Sequence, residues 1–195
     1  MKQIFQDALE ALNDHQVIAF PTETVFGLGV FYDDFEAYNL LNQIKRRHED
    51  KPYTMMLSNV AEIDKYAYID KKFFPIINKY MPGSLTILVK AKPNVPNYVT
   101  HDTKIIGIRI PKNKEAIDLL KFLGKPLLVP SANRADQKPA TNDDEVRSIF
   151  GDEIKVVLPG ISKGGLPSTI IDLTGKDIKV LREGPISLKD LKQLI

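Results

Sequence analysis

Two short β-rich runs bounded by proline or glycine, Ser84-Leu85-Thr86-Ile87-Leu88-Val89-Lys90 and Ile105-Ile106-Gly107-Ile108-Arg109-Ile110, require a sheet at the centre of this chain. Apolar runs at Val17-Ile18-Ala19-Phe20 and Leu127-Leu128-Val129 read as further buried strands. Helical spacing of apolar residues marks 4–13, 33–44 and 114–123, with further helical segments near 58–66, 71–80 and 145–150 and after Ser187. Pro75 interrupts one of these. Short strands are expected at 155–158, 169–173 and 178–181. The two periodicities are interleaved without a strict βαβ rhythm. This predicts an α/β fold, a single domain over 1–195 with a twisted mixed sheet flanked by helices.

At 195 residues and 43% hydrophobic content, the chain can bury a sizeable core within the size of one domain. The absence of cysteine excludes disulfides, thiolate metal sites and a cysteine nucleophile. The charged, amphipathic start Met1-Lys2-Gln3-Ile4-Phe5 is unlike a secretory signal, and no apolar run approaches the roughly 18 residues of a membrane span. A soluble, cytoplasmic protein with no membrane partner is expected. Lysine and arginine number 27 against 25 acidic residues, so a net charge of +2 argues against nucleic acid as the primary ligand.

Polar residues cluster at the strand ends, where α/β proteins place ligands. Pro21 should end the first strand, Thr22 and Thr24 supply hydroxyls, and Gly27 and Gly29 are expected to let backbone amides approach a ligand. Lys45-Arg46-Arg47-His48 with Lys51 forms a basic knot suited to phosphate, or else a solvated helix end. Ser131-Ala132-Asn133 follows a buried strand and reads as two ligand groups or as an ordinary turn. Gly164-Gly165 could present amides to an anion. Arg109, between Ile108 and Ile110, faces solvent or reaches a carboxylate with both prongs; Arg182 adds a further guanidinium. No Walker A lysine-serine sequence or full dinucleotide fingerprint is present, and the three histidines have no metal-ligand spacing. Phosphate-binding cations and hydroxyls outnumber acid/base pairs. That surplus favours a reaction in which the protein positions substrates and neutralises phosphate charge.

In order, Pro21-Thr22-Glu23-Thr24-Val25-Phe26-Gly27-Leu28-Gly29, Lys45-x-Arg47 with Lys51-Pro52, Pro82-Gly83-Ser84-Leu85-Thr86, Ile108-Arg109-Ile110-Pro111, Ser131-Ala132-Asn133, Pro167-Ser168-Thr169-Ile170-Ile171-Asp172 and Arg182-Glu183-Gly184 resemble the YrdC-like family, the threonylcarbamoyl-AMP synthases. The resemblance runs nearly end to end and implies the YrdC-like fold. It implies condensation of L-threonine, bicarbonate or CO2, and ATP, with Mg2+ carried by the nucleotide, into L-threonylcarbamoyl-adenylate and pyrophosphate. That product feeds N6-threonylcarbamoyladenosine formation in tRNA through a separate downstream threonylcarbamoyl-transferase complex. By the same resemblance Lys45, Arg47, Lys51, Ser131, Asn133, Thr141 and Arg182 contact ATP, with Lys45 and Arg47 the main triphosphate cations. Thr22, Arg109 and Ser168 hold threonine, Arg109 pairing with its carboxylate.

Three positions depart from the family pattern: His48 where proline often follows the Lys-x-Arg motif, Met56 where some relatives place a substrate-contacting histidine, and Phe26 for a frequent tyrosine. Two other readings remain at this stage. One is a module binding tRNA or double-stranded RNA through the 45–51 knot. The other is the carbamoyl-transfer domain of hydrogenase maturation proteins, whose companion cysteine-rich modules have no counterpart in a chain without cysteine.

Overall fold

The structure, a computed structural model, describes residues 2–46, 52–164 and 166–194. In chain order it runs α1 (Lys2–Asn13), β1 (Ile18–Phe20), β2 (Gly27–Phe31), α2 (Phe35–Lys45), β3 (Thr54–Met56), α3 (Ile63–Tyr66), β4 (Ala67–Tyr68), α4 (Phe74–Tyr80), β5 (Leu85–Ala91) and α5 (Asn97–Thr100). It continues through β6 (Ile105–Arg109), α6 (Lys114–Leu123), β7 (Leu127–Leu128), α7 (Asp143–Phe150), β8 (Val156–Val157), β9 (Thr169–Asp172), β10 (Lys179–Arg182) and α8 (Leu188–Lys192).

Local chemistry sets the helix ends. Asp34 and Asn113 accept the backbone N–H of Ala37 and Ala116 and so start α2 and α6, while Gly124 in the left-handed region ends α6. Ser187 and Asp190 form a reciprocal capping box on α8. Pro75 sits in the first turn of α4, where a missing N–H costs nothing. The expected strands and helices all form, with small changes at their ends. The two short elements β4 and α5 fall where the sequence gives no periodic signal.

The strands join in the order β10-β9-β5-β6-β3-β7-β2-β1-β8, with β4 added on β5. The pairs β1/β8, β3/β6 and β5/β9 are parallel and the others antiparallel, so the sheet is mixed, as expected. Its two faces are covered differently. One face carries Leu28, Val30, Met55, Leu85, Ile87, Val89, Ile106, Ile108 and Ile171, packed against apolar residues of α2, α4, α7 and α8. On the other, Ile18, Phe20, Phe31, Met56 and Leu127 pack against Phe5, Ala8 and Leu12 of α1 and Ala116, Leu119 and Leu120 of α6. That second layer covers the β1, β2 and β7 side of the sheet. The alternate residues of β5, β6 and β9 on the same face, Thr86, Leu88, Gly107, Arg109 and Ile170, line a cavity instead.

Gly27 and Gly29 also serve this packing. A Cβ at Gly27 would lie 2.5 Å from Val129 Cγ1, and one at Gly29 would lie 2.9 Å from Phe20 Cε1. Side chains of β1 and of the segment after β7 occupy the space that a larger residue would need. Gly27 still reaches the cavity wall through its backbone.

His15 follows α1 in the left-handed region (φ 58°), and its Nδ1 lies 2.8 Å from Asp34 Oδ2. The Asp34 hydrogen bond and charge raise its pKa above the usual 6.5. The stabilisation is therefore complete below 6.5 and disappears as pH rises through the raised folded value. Asparagine tolerates the left-handed backbone but cannot titrate. His15→Asn should therefore lower Tm more at pH 5.5 than at pH 8.5; equal losses at both would refute the charged pair.

Candidate functional site

The uncovered half of the sheet opens into a cavity of about 1290 Å³. All four polar clusters singled out in the sequence reach it, through Thr22, Lys45, Ser131 with Asn133, and Gly164 with Ser168. Thr141, Arg109 and Arg182 also line it. Arg47, His48, Lys51 and Gly165 lie outside the described residues.

One end is built on the strands. Arg109, the last residue of β6, is only 8% exposed, so the solvent-facing alternative is excluded. Its Nη2 donates to Glu23 Oε1 at 2.8 Å and to Thr24 Oγ1 at 3.0 Å. The contact with the carboxylate is through one nitrogen rather than a two-pronged fork. Glu23 Oε2 and Arg109 Nε are buried without hydrogen-bond partners, so this pair is held by position more than by complete satisfaction. Beside it, Ser168 Oγ lies 2.9 Å from Thr86 Oγ1. Arg182 Nε donates to Ser168 O at 3.0 Å and its Nη2 to Ser168 Oγ at 3.1 Å. A bulge in β10 between Val180 and Arg182 interrupts the alternation just before this arginine. Burial, and then the charge of Arg109, lower the Arg182 pKa. Two guanidiniums, Arg109 buried and Arg182 exposed, thus share one end of the cavity, which favours an anion there. The resemblance divides Arg182 from Ser168 and Arg109 between two substrates, whereas the geometry groups the three.

The other end is built on loops. Lys45, the last residue of α2, is 6% exposed, so it is neither a solvated helix end nor a loop-edge side chain. Its Nζ donates to Ser131 O at 2.7 Å and Asn133 O at 2.8 Å. Ser131 Oγ donates to Asn133 Oδ1 at 2.6 Å, while Asn133 Nδ2 donates to the carbonyls of Arg134 and Gln137. Ser131-Ala132-Asn133 is therefore a cross-braced loop carrying a buried ammonium. Thr141 Oγ1 donates to Glu145 Oε2 at 3.0 Å, just before Asn142 caps α7. The Thr141 backbone N–H, which donates to the same oxygen at 2.6 Å, and then its hydroxyl hold the Glu145 carboxyl below its usual pKa.

Thr22 is 3% exposed and lines the cavity between the two ends. Its hydroxyl donates to Val25 O at 2.7 Å and accepts from Thr24 N at 3.2 Å, closing its own turn. Phe26 and Met56 also line the cavity. Sequence reasoning missed Glu23 as the partner of Arg109, since no spacing rule links a loop carboxylate to a strand arginine 86 residues away. Ser162, which accepts from Thr22 N at 3.2 Å, carried no sequence signal either.

Gly184 makes the Ser168 end sensitive to a single methyl group. A Cβ there would lie 2.4 Å from Pro167 O and 2.5 Å from Thr169 N, both backbone atoms that cannot swing aside. Gly184→Ala should cost about 1–3 kcal/mol by overpacking. For a chain of this size that corresponds to a fall in Tm of about 2–12 °C. An unchanged Tm in thermal denaturation would refute this close approach.

Comparison with known proteins gives this geometry a context. A family model described as telomere recombination, Sua5_yciO_yrdC, matches residues 10–184. The threonylcarbamoyl-AMP synthase of Yersinia enterocolitica is 35% identical over 179 residues, covering 89% of this chain and 93% of that protein. The crystal structure of P. abyssi Sua5 complexed with L-threonine superposes with a TM-score of 0.92 at 27% identity, covering 98% of this chain. This chain spans 57% of the length of that Sua5 chain. E. coli YciO superposes with a TM-score of 0.87 at 28% identity, over 97% of this chain and 93% of its own. With a family model matched across most of its length, the chain belongs to the Sua5/YciO/YrdC family.

Proposed function

We propose that the chain is a threonylcarbamoyl-AMP synthase, condensing L-threonine, CO2 or bicarbonate, and ATP into threonylcarbamoyl-adenylate and pyrophosphate. The observation that carries this reading is the joining of two differently built polar ends in one cavity of about 1290 Å³. That volume exceeds the roughly 300–1,000 Å³ usual for one small ligand, as a nucleotide facing an amino acid requires. The 35% identity to the Yersinia enterocolitica synthase and the similarity to threonine-bound P. abyssi Sua5 support the same chemistry.

In this reading the Arg109, Arg182 and Ser168 end holds threonine. Arg109 Nη1 has no hydrogen bond to another described residue, which leaves it for the threonine carboxylate while Nη2 stays on Glu23 and Thr24. Thr22 shapes the wall between the substrates through its turn. The threonine amine forms a bond to the carbon of CO2 and loses a proton, giving a carbamate. A carbamate oxygen then attacks the α-phosphorus of ATP, and the bond to the pyrophosphate oxygen breaks. Lys45, Ser131, Asn133 and Thr141 face the nucleotide, with Arg47 and Lys51 as further phosphate cations. Lys45 lends positive charge while holding its loop, so its contribution is both electrostatic and positional. The protein needs no covalent intermediate, because holding the reactants in line supplies the rate.

Mg2+ enters with ATP as part of the substrate. The described residues contain no group of three or more histidines and carboxylates placed to hold a metal, and the cavity's polar groups are mainly cations and hydroxyls. The adenylate is consumed by a separate transferase that delivers the group to tRNA in the cytoplasm. Among the described residues, no helix is long and apolar enough to cross a membrane.

Pyrophosphate release from ATP should require both L-threonine and bicarbonate, with label from bicarbonate entering an adenylate. Turnover without threonine, or no turnover by folded protein with all three present, would overturn the proposal. Lys45→Ala should lower kcat/KM about 100–1,000-fold. Pyrophosphate release by this variant at the wild-type rate would remove Lys45 from the mechanism.

A further inference from the structure

We infer that Arg134, directly after the Ser131-Ala132-Asn133 loop, is the positioning residue that fixes Lys45 in the nucleotide end of the cavity. The inference rests on the proposed nucleotide site. Arg134 is 9% exposed, and its hydrogen-bond partners Ile44, Ile149 and Glu153 lie outside the cavity lining. Nη1 donates to Ile44 O, the carbonyl just before Lys45, and to Glu153 Oε2 at 3.1 Å. Nη2 donates to Glu153 Oε1 and to Ile149 O at 3.3 Å. The guanidinium carbon lies 4.8 Å from the Phe150 ring centroid. One planar cation thus ties the end of α2 to the end of α7, using both prongs of a carboxylate.

The neighbouring bonds make this a reciprocal clamp. The end of α2 leaves carbonyls without partners inside the helix. Ile44 O accepts from Arg134, and Lys45 O accepts from Ala135 N at 2.9 Å. In return Lys45 Nζ donates to Ser131 O and Asn133 O. Arg46 then turns into the left-handed region (φ 50°) and leads the chain away. Loop and helix end therefore hold each other through bonds running both ways. If the guanidinium is removed, Ile44 O, Ile149 O and the Glu153 carboxylate all lose a donor, and the loop loses its anchor to α7. The Arg134 hydrogen bonds and charge also hold Glu153 below its usual pKa, in line with a committed ion pair.

The test compares wild type with Arg134→Gln, Arg134→Lys and Glu153→Gln, after thermal melts establish that each is folded at the assay temperature. Arg134→Gln should raise KM for ATP about 10-fold while leaving KM for threonine within about 2-fold, a split that general destabilisation does not produce. Arg134→Lys should recover part of the loss, because a lysine reaches one carbonyl but cannot make the fork. Glu153→Gln keeps the bonds to Ile44 O and Ile149 O, so it should shift KM for ATP in the same direction by about 3-fold and serves if Arg134→Gln does not fold. Hydrogen exchange at the Ala135 amide, which donates to Lys45 O, reads the clamp without any turnover and should quicken in each variant. Unchanged exchange overturns the clamp. Faster exchange with unchanged ATP affinity overturns the positioning role. A wild type that neither turns over nor binds ATP overturns the proposed function, and the exchange data alone then decide the clamp.

Discussion

The alternation of side chains along β5 and β6 governs both the stability of this molecule and its chemistry. Successive strand residues point to opposite faces, and the antiparallel register pairs Ile87 with Ile108 and Val89 with Ile106. These apolar positions enter the fully covered face of the sheet. Their neighbours Thr86, Leu88, Gly107 and Arg109 are thereby committed to the other face, which α1 and α6 leave bare at this end. A one-residue slip would bury Arg109 in the apolar layer and expose the isoleucines. The free energy of the core therefore holds an arginine at the cavity wall more firmly than any contact the arginine makes itself.

Much of this was legible in the sequence, for identifiable physical reasons. Leu85–Ala91 and Ile105–Arg109 stand out because β-rich runs bounded by glycine and proline have few alternatives. The segment Lys114–Leu123 shows both its helical period and its terminal glycine. The polar clusters are legible as strand-end residues, and those among the described residues meet in one cavity. What the sequence hides are contacts whose partners are far apart in the chain: Glu23 with Arg109, Arg134 with Glu153, and the Lys45 ammonium with the carbonyls of Ser131 and Asn133. The packing role of the two glycines of β2 is hidden for the same reason. Their meaning depends on where Phe20 and Val129 lie in three dimensions, which no local pattern records.

The cavity gathers Arg109, Arg182 and Lys45 among its cations, and burying the first and last of these carries a desolvation cost. The protein offsets it differently at each end. Lys45 is placed on carbonyl dipoles, which offer negative potential without introducing a second formal charge. Arg109 has a carboxylate partner, but only through one nitrogen, and each partner keeps a buried atom unpaired. Arg182 donates to the carbonyl and hydroxyl oxygens of Ser168 and feels the repulsion of Arg109. An arriving carboxylate relieves that repulsion, so the strand-built end is poised toward an anion before any ligand binds.

A fold by itself does not select a chemistry. Selection has to come from how the two ends are held. The strand-built end depends on register, which any member preserving the core preserves as well. The loop-built end depends on a few specific side chains: Lys45 in the loop carbonyls, Asn133 bracing Arg134 and Gln137, and Arg134 tied to Ile44, Ile149 and Glu153. Those bonds can be lost without exposing the core. Divergence within this architecture is therefore least constrained at the loop-built end, where one substitution can change the placement of the Lys45 ammonium while the sheet remains intact.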